Sequence, residues 1–140
     1  NSLGIKTLEN ENVYIGPKDN GFYLCGVYDR FGNRYGAYKP DINKALENTN
    51  THPTVLLAHQ PKFIEEIENT VGIDLILCGH THGGQIFPFN FLVKLQQPYV
   101  RGLNTHNEFT QVYVNKGTGF WGPPMRLGAS SEITFLKLSS

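Results

Sequence analysis

The chain has 140 residues, 39% of them hydrophobic and 17% charged, which suits one globular domain of ordinary composition. Twelve Lys and Arg balance twelve Asp and Glu. That balance, with no basic run, gives no signal for nucleic acid or an acidic membrane surface, and no apolar stretch reaches the roughly 20 residues a membrane-spanning helix needs.

In chain order, Asn12–Ile15 and Gly21–Val27 read as short strands, joined by the turn signal Gly16-Pro17-Lys18-Asp19-Asn20-Gly21. A polar, glycine-containing loop follows over Asp29–Gly36. Asp41, after Pro40, is placed to cap a short helix running to about Leu46. Val55–Ala58 reads as a buried strand. Pro61 opens a helix at its favoured first position, with Phe63, Ile64, Ile67 and Val71 as one apolar face and Gly72 as its stop. Asp74–Cys78 is the next strand. The result is a central β-α-β unit with parallel strands and a right-handed crossover.

After Gln85 the pattern becomes irregular. Ile86–Val93 is apolar and aromatic with Pro88 inside it. It fits core filler, a subunit contact or an apolar lid beside a site. Gln111–Asn115 and Glu132–Leu138 alternate as strands do, joined by the glycine- and proline-rich loop 117–128. Cys25 and Cys78 each precede a glycine at the end of an apolar run. They read first as buried thiols in neighbouring strands, with a disulfide left to geometry and zinc ligation disfavoured by strand alternation. His52 and His106 read as an exposed loop residue and a hairpin tip.

The chemistry concentrates at two strand ends. The first strand of the central unit ends in His59, and the second runs into Gly79-His80-Thr81-His82-Gly83-Gly84. In an open α/β sheet ligands bind beyond the carboxyl ends of the strands. His80 and His82, one residue apart in an extended loop, can face the same way, and the flanking glycines leave room for a close approach. Imidazoles so gathered describe a metal site, so His59, His80 and His82 are the candidate ligands. Arg126, after Pro123-Pro124, is a candidate phosphate clamp or a structural ion-pair partner. Asp29 is a candidate substrate contact or outer partner of the site, or simply a turn former.

Leu57-Ala58-His59-Gln60-Pro61 together with Gly79-His80-Thr81-His82-Gly83-Gly84-Gln85-Ile86 resembles the C-terminal half of a bacterial calcineurin-like metallophosphoesterase. Thr7–Glu11, Gly26–Asp29, Tyr113–Gly119 and Arg126 followed by Glu132–Thr134 extend the likeness over most of the chain. The resemblance implies part of a four-layer α-β-β-α sandwich, within which residues 1–140 form a single domain. It also implies phosphoester hydrolysis by two divalent metals (manganese, iron or zinc) sharing a bridging hydroxide. His59 and His80 would then serve one metal and His82 the other.

The family's N-terminal motifs, Asp-x-His, Gly-Asp-x-x-Asp and Gly-Asn-His-Asp/Glu, are absent here. Two divalent ions about 3.5 Å apart repel by roughly 19 kcal/mol at an effective dielectric of 20, and three neutral imidazoles bring no charge to offset it. The expectation is half of a site: no complete catalytic set, at most one metal on this chain alone, and little or no activity without the carboxylates of the missing N-terminal half. The rival expectation is a non-catalytic metal- or protein-binding scaffold of the same descent. The expected partners are a phosphoester substrate and that missing half. Self-association through an exposed sheet face, and a cytoplasmic or membrane-associated parent, are carried as open expectations.

Overall fold

The structure, a computed structural model, describes residues 3–49, 51–68 and 72–139. Six strands form one mixed sheet: β1 (Glu11–Ile15), β2 (Phe22–Gly26), β3 (Thr54–Leu57), β4 (Leu75–Cys78), β5 (Gly102–Thr105) and β6 (Gln111–Val114). Their order is β1-β2-β3-β4-β6-β5. The four central strands are parallel, and the edge strands β1 and β5 run antiparallel to their neighbours. The protein is thus an α/β fold on a mixed sheet, as expected. Two short α-helices accompany it, α1 (Ile42–Ala45) and α2 (Asn90–Gln96).

The register explains the core. Cys25, Leu56, Ile76 and Val112 sit opposite one another across β2, β3, β4 and β6. All four are at most 2% exposed. Ala45 of α1 and Phe63 and Ile64 of the β3–β4 crossover cover this row. Burial of each Leu- or Ile-sized side chain there contributes about 1.5–3 kcal/mol. The opposite face is less covered: on it Leu57 and Leu77 stand beside Tyr113, all partly open to solvent.

Asp41 caps α1 through its side chain, which accepts from the Lys44 N–H at 3.0 Å. The crossover departs from expectation. Pro61 does start a helix, but it is a 3₁₀ helix over Pro61–Glu66 that ends with Ile67 extended. Ile64 within the segment and Ile67 at its end are both β-branched, which disfavours continuation as an α-helix. Val71 lies outside the described residues, and Gly72 closes no helix.

Three further corrections follow. The cysteines are free and buried, but β3 lies between their strands, so they are not neighbours. His52 packs edge-on against Tyr14 and Tyr23 instead of standing free. Residues 132–138 form no strand. Their alternation turns Glu132 and Thr134 toward Tyr113 and Asn115, and leaves Ile133 and Phe135 more than 90% exposed. His106 does close the β5–β6 hairpin, where its N–H donates to the Thr110 carbonyl.

Candidate metal centre

Parallel pairing of β3 and β4 brings their C-terminal ends level. The Gly79 N–H donates to the His59 carbonyl at 3.0 Å, which ties the two histidine-bearing segments together just beyond the sheet. His59 Nε2 then lies 3.3 Å from His80 Nδ1, with the rings edge-to-face at 5.0 Å between centroids. Two nitrogens bound to one zinc-like ion at about 2.1 Å and a tetrahedral angle stand about 3.4 Å apart. The observed pair has that bite.

The loop between His80 and His82 is not extended. His80 and His82 take φ of +66° and +50°, and a one-turn 3₁₀ helix covers His82–Gly84. Left-handed backbone at non-glycine residues is costly and concentrates at functional sites. Here it swings His82 away from the close pair. His82 Nδ1 lies 3.3 Å from both the Gly119 carbonyl and Nη2 of Arg126, which leaves Nε2 as the ring's free nitrogen. All three histidines line one pocket of about 270 Å³, together with Thr81, Gln97 and Trp121.

Asp29 reaches the same region from the other side. Its Oδ1 accepts from the Phe31 N–H at 2.7 Å and from Nε2 of Gln60 at 2.9 Å. Its Oδ2 is buried with no partner. Gln60 follows His59 directly, so the carboxylate is steered by the residue next to a candidate ligand. His80 is held below the ordinary imidazole value. Partial removal of its ring from water is the main cause, and His59 adds to it; Asp29 pulls the other way and His82 adds a little. A neutral imidazole is the form that ligates metal.

Arg126 is spent on backbone. Its guanidinium donates to the carbonyls of His82 (3.2 Å), Lys116 (2.8 Å) and Gly117 (3.1 Å), and to that of Gly119. It therefore clasps the 117–119 segment onto the histidine loop. Among the described residues no ion pair involves it.

Three supporting residues carried no signal as site residues in the sequence. Gln85 is fully buried, and its amide pairs with both backbone groups of Trp121: Nε2 donates to the carbonyl at 2.8 Å, and Oε1 accepts from the N–H at 2.7 Å. Thr81 donates its hydroxyl to the Val100 carbonyl at 2.7 Å. Gln97 accepts from the Lys62 N–H at 2.9 Å and fixes the helix after His59. Thr81 and Gln85 do lie inside the Gly79–Ile86 run, whereas nothing in the sequence pointed to Gln97.

Among the described residues no group of three or more His, Cys, Asp or Glu side chains converges as a complete metal cage. The donors fit a metal in chemistry and, for His59 and His80, in spacing; they do not by themselves complete its shell.

Comparison with known proteins gives the site its context. The chain is 50% identical over 138 residues to an uncharacterized metallophosphoesterase of Helicobacter pylori, an alignment covering 98% of this chain and 36% of that protein. It is 44% identical over 149 residues to a bovine transmembrane protein with metallophosphoesterase domain, covering 99% of this chain and 34% of the relative. An uncharacterized metallophosphoesterase of Aquifex aeolicus is 33% identical over 139 residues, 96% of this chain and 51% of its own. Its homologues, in bacteria and animals, are named metallophosphoesterases. The chain spans only about a third of the length of the first two and half of the third. No family model matches it, and no solved structure matches it significantly.

Proposed function

We propose that this chain is the histidine-bearing part of a metal-dependent phosphoester hydrolase of the metallophosphoesterase superfamily. The observation that carries the reading is the His59–His80 pair, 3.3 Å apart at adjacent parallel strand ends, with His82 lining the same pocket. Similarity along nearly all of this chain to parts of proteins named for metallophosphoesterase supports it.

In this reading His59 Nε2, His80 Nδ1 and His82 Nε2 are the metal-binding nitrogens. Bound divalent metals would supply Lewis-acid polarisation of the phosphoryl group and a hydroxide at neutral pH. The chain's own residues hold that arrangement. The His59 carbonyl and the Gly79 N–H keep the first two rings level, and Arg126 holds His82 to the 117–119 segment. Asp29 is the carboxylate that acts on His80 among the described residues, and its unpartnered oxygen suits a metal-bound water or a substrate hydroxyl. Arg126 acts as a positioning residue. The remaining negative charge comes from outside these 140 residues.

The test compares the full-length protein with this chain. With added manganese, the full-length protein hydrolyses an aryl phosphodiester, and His59→Ala or His80→Ala lowers turnover at least 100-fold. The 140-residue chain binds at most one ion and turns over little or nothing. Robust, histidine-dependent turnover by the isolated chain would overturn the half-site reading. Full-length protein that binds no metal would favour the scaffold.

A further inference from the structure

A second cavity lies apart from the histidines. It lies on the other side of α2, with a volume of about 470 Å³, and Gln97 borders both it and the histidine pocket. Val93 and Gln96 face the histidines, whereas Asn90 and Lys94 face this second space. Its volume falls in the range of small-molecule sites.

The lining is one-sided in charge. Lys94 and Arg101 both border it, and neither side chain has an ion-pair or hydrogen-bond partner among the described residues. No carboxylate among the described residues lines the cavity. Asn90 adds a second, independent signal: its Oδ1 is buried and receives no hydrogen bond. A buried acceptor left without a donor costs about 1–3 kcal/mol, so a donor is missing there. Phe87 and Leu127 complete the wall with apolar surface, each more than half exposed.

We propose that this cavity is a binding site for a phosphate-type anion that also carries a hydroxyl, the chemistry of a glycerol phosphate. Lys94 and Arg101 receive the anion, Asn90 accepts from the hydroxyl, and Phe87 and Leu127 take any apolar extension. The same headgroup chemistry comes from a soluble phosphoester or from a phosphatidylglycerol bilayer. The assignment does not rest on the hydrolase reading, because it uses none of the metal-binding residues.

The experiment uses full-length protein in a His59→Ala/His80→Ala background, so that binding at the histidine pocket does not contribute. Glycerol 3-phosphate is titrated by calorimetry, and phosphatidylcholine vesicles with and without phosphatidylglycerol are tested by flotation. The expected result is saturable binding of at least one probe. Lys94→Ala or Arg101→Ala, both at exposed positions, weakens it at least 5-fold, and the pair weakens it at least 20-fold. Binding of glycerol 3-phosphate assigns the soluble source; binding confined to phosphatidylglycerol vesicles assigns the lipid source. Failure of both probes to bind, or affinity unchanged in the Lys94/Arg101 double variant, would overturn the proposal.

Discussion

Gln85 offers the sharpest test of how the histidine loop is held. Its side chain is fully buried, and its amide makes two short hydrogen bonds to the backbone of Trp121. Replacing it with Ala removes both bonds, each contributing about 0.5–1.5 kcal/mol, and opens a void where the amide stood. The expected loss is about 2–3 kcal/mol. The more local consequence is release of the 117–128 loop from the histidine loop. Trp121 is the only tryptophan, so its fluorescence reports that release directly. Urea titration of the Gln85→Ala variant gives the stability change, and acrylamide quenching in the native baseline gives the detachment. Gln85→Glu separates volume from hydrogen bonding. It keeps an acceptor for the Trp121 N–H but sets an oxygen against the Trp121 carbonyl, in a place where a charge is expensive. That variant is destabilised more at neutral pH than at mildly acidic pH, where the new carboxyl takes a proton. A Gln85→Ala protein within 0.5 kcal/mol of wild type, with unchanged quenching, would refute the reasoning.

Three further outcomes are expected. Burial pushes the thiols of Cys25 and Cys78 up to about 11 and about 12, so at pH 8 only about one in a thousand and one in ten thousand are thiolate; N-ethylmaleimide should label neither until the chain unfolds, and rapid native labelling would contradict the burial. Gly84 has φ +87°, and an added Cβ there would lie 2.4 Å from Cβ of Asn90; Gly84→Ala should cost at least about 2 kcal/mol in urea unfolding through backbone strain and displacement of α2, and a near-neutral effect would show that α2 is not seated as described. The Glu132 carboxyl is held below its usual value, chiefly by the Tyr113 hydroxyl that donates to it. Because the folded value is the lower one, this stabilisation is complete above the unfolded value of about 4.3 and is lost as pH falls through the folded value. Glu132→Gln should therefore be less stable at pH 7, with the gap closing in acid; a gap that stays constant down to pH 3 would argue against the interaction.

The strands were legible because β-branched and aliphatic residues cluster between turn signals, as in Thr54-Val55-Leu56-Leu57 and Leu75-Ile76-Leu77-Cys78. The placement of His59 and His80 followed from that, since parallel neighbours end at one level. Helix α2 was hidden for a physical reason. It buries no residue, so Phe91, Leu92 and Leu95 follow no single inward face, and Pro88 interrupts the run before it. The tail misled in the opposite way. Its alternation is real, but the inward positions are Glu132 and Thr134, which bind by side chains to Tyr113 and Asn115, so no strand ladder forms. Arg126 was noticed but not its task. A guanidinium that joins a carbonyl 44 residues away to others 7 to 10 residues away leaves no pattern in the sequence.

The same interactions account for the strain at the centre. Of the five non-glycine residues with positive φ among the described residues, His80, His82 and Gln85 fall within six positions. Each such residue costs of order 1–3 kcal/mol unless its surroundings over-determine it. The surroundings here do. Thr81 is pinned to Val100, the His82 carbonyl accepts from Arg126, and Gln85 is locked to Trp121 by its side chain and to Leu127 by its carbonyl. These tethers come from two separate stretches of chain, Val100 and the 117–128 loop. A loop relaxed into ordinary backbone would turn His80 and His82 elsewhere. The tethers therefore offset a local cost whose visible return is three imidazoles lining one pocket, with the nitrogens of His59 and His80 a metal's bite apart.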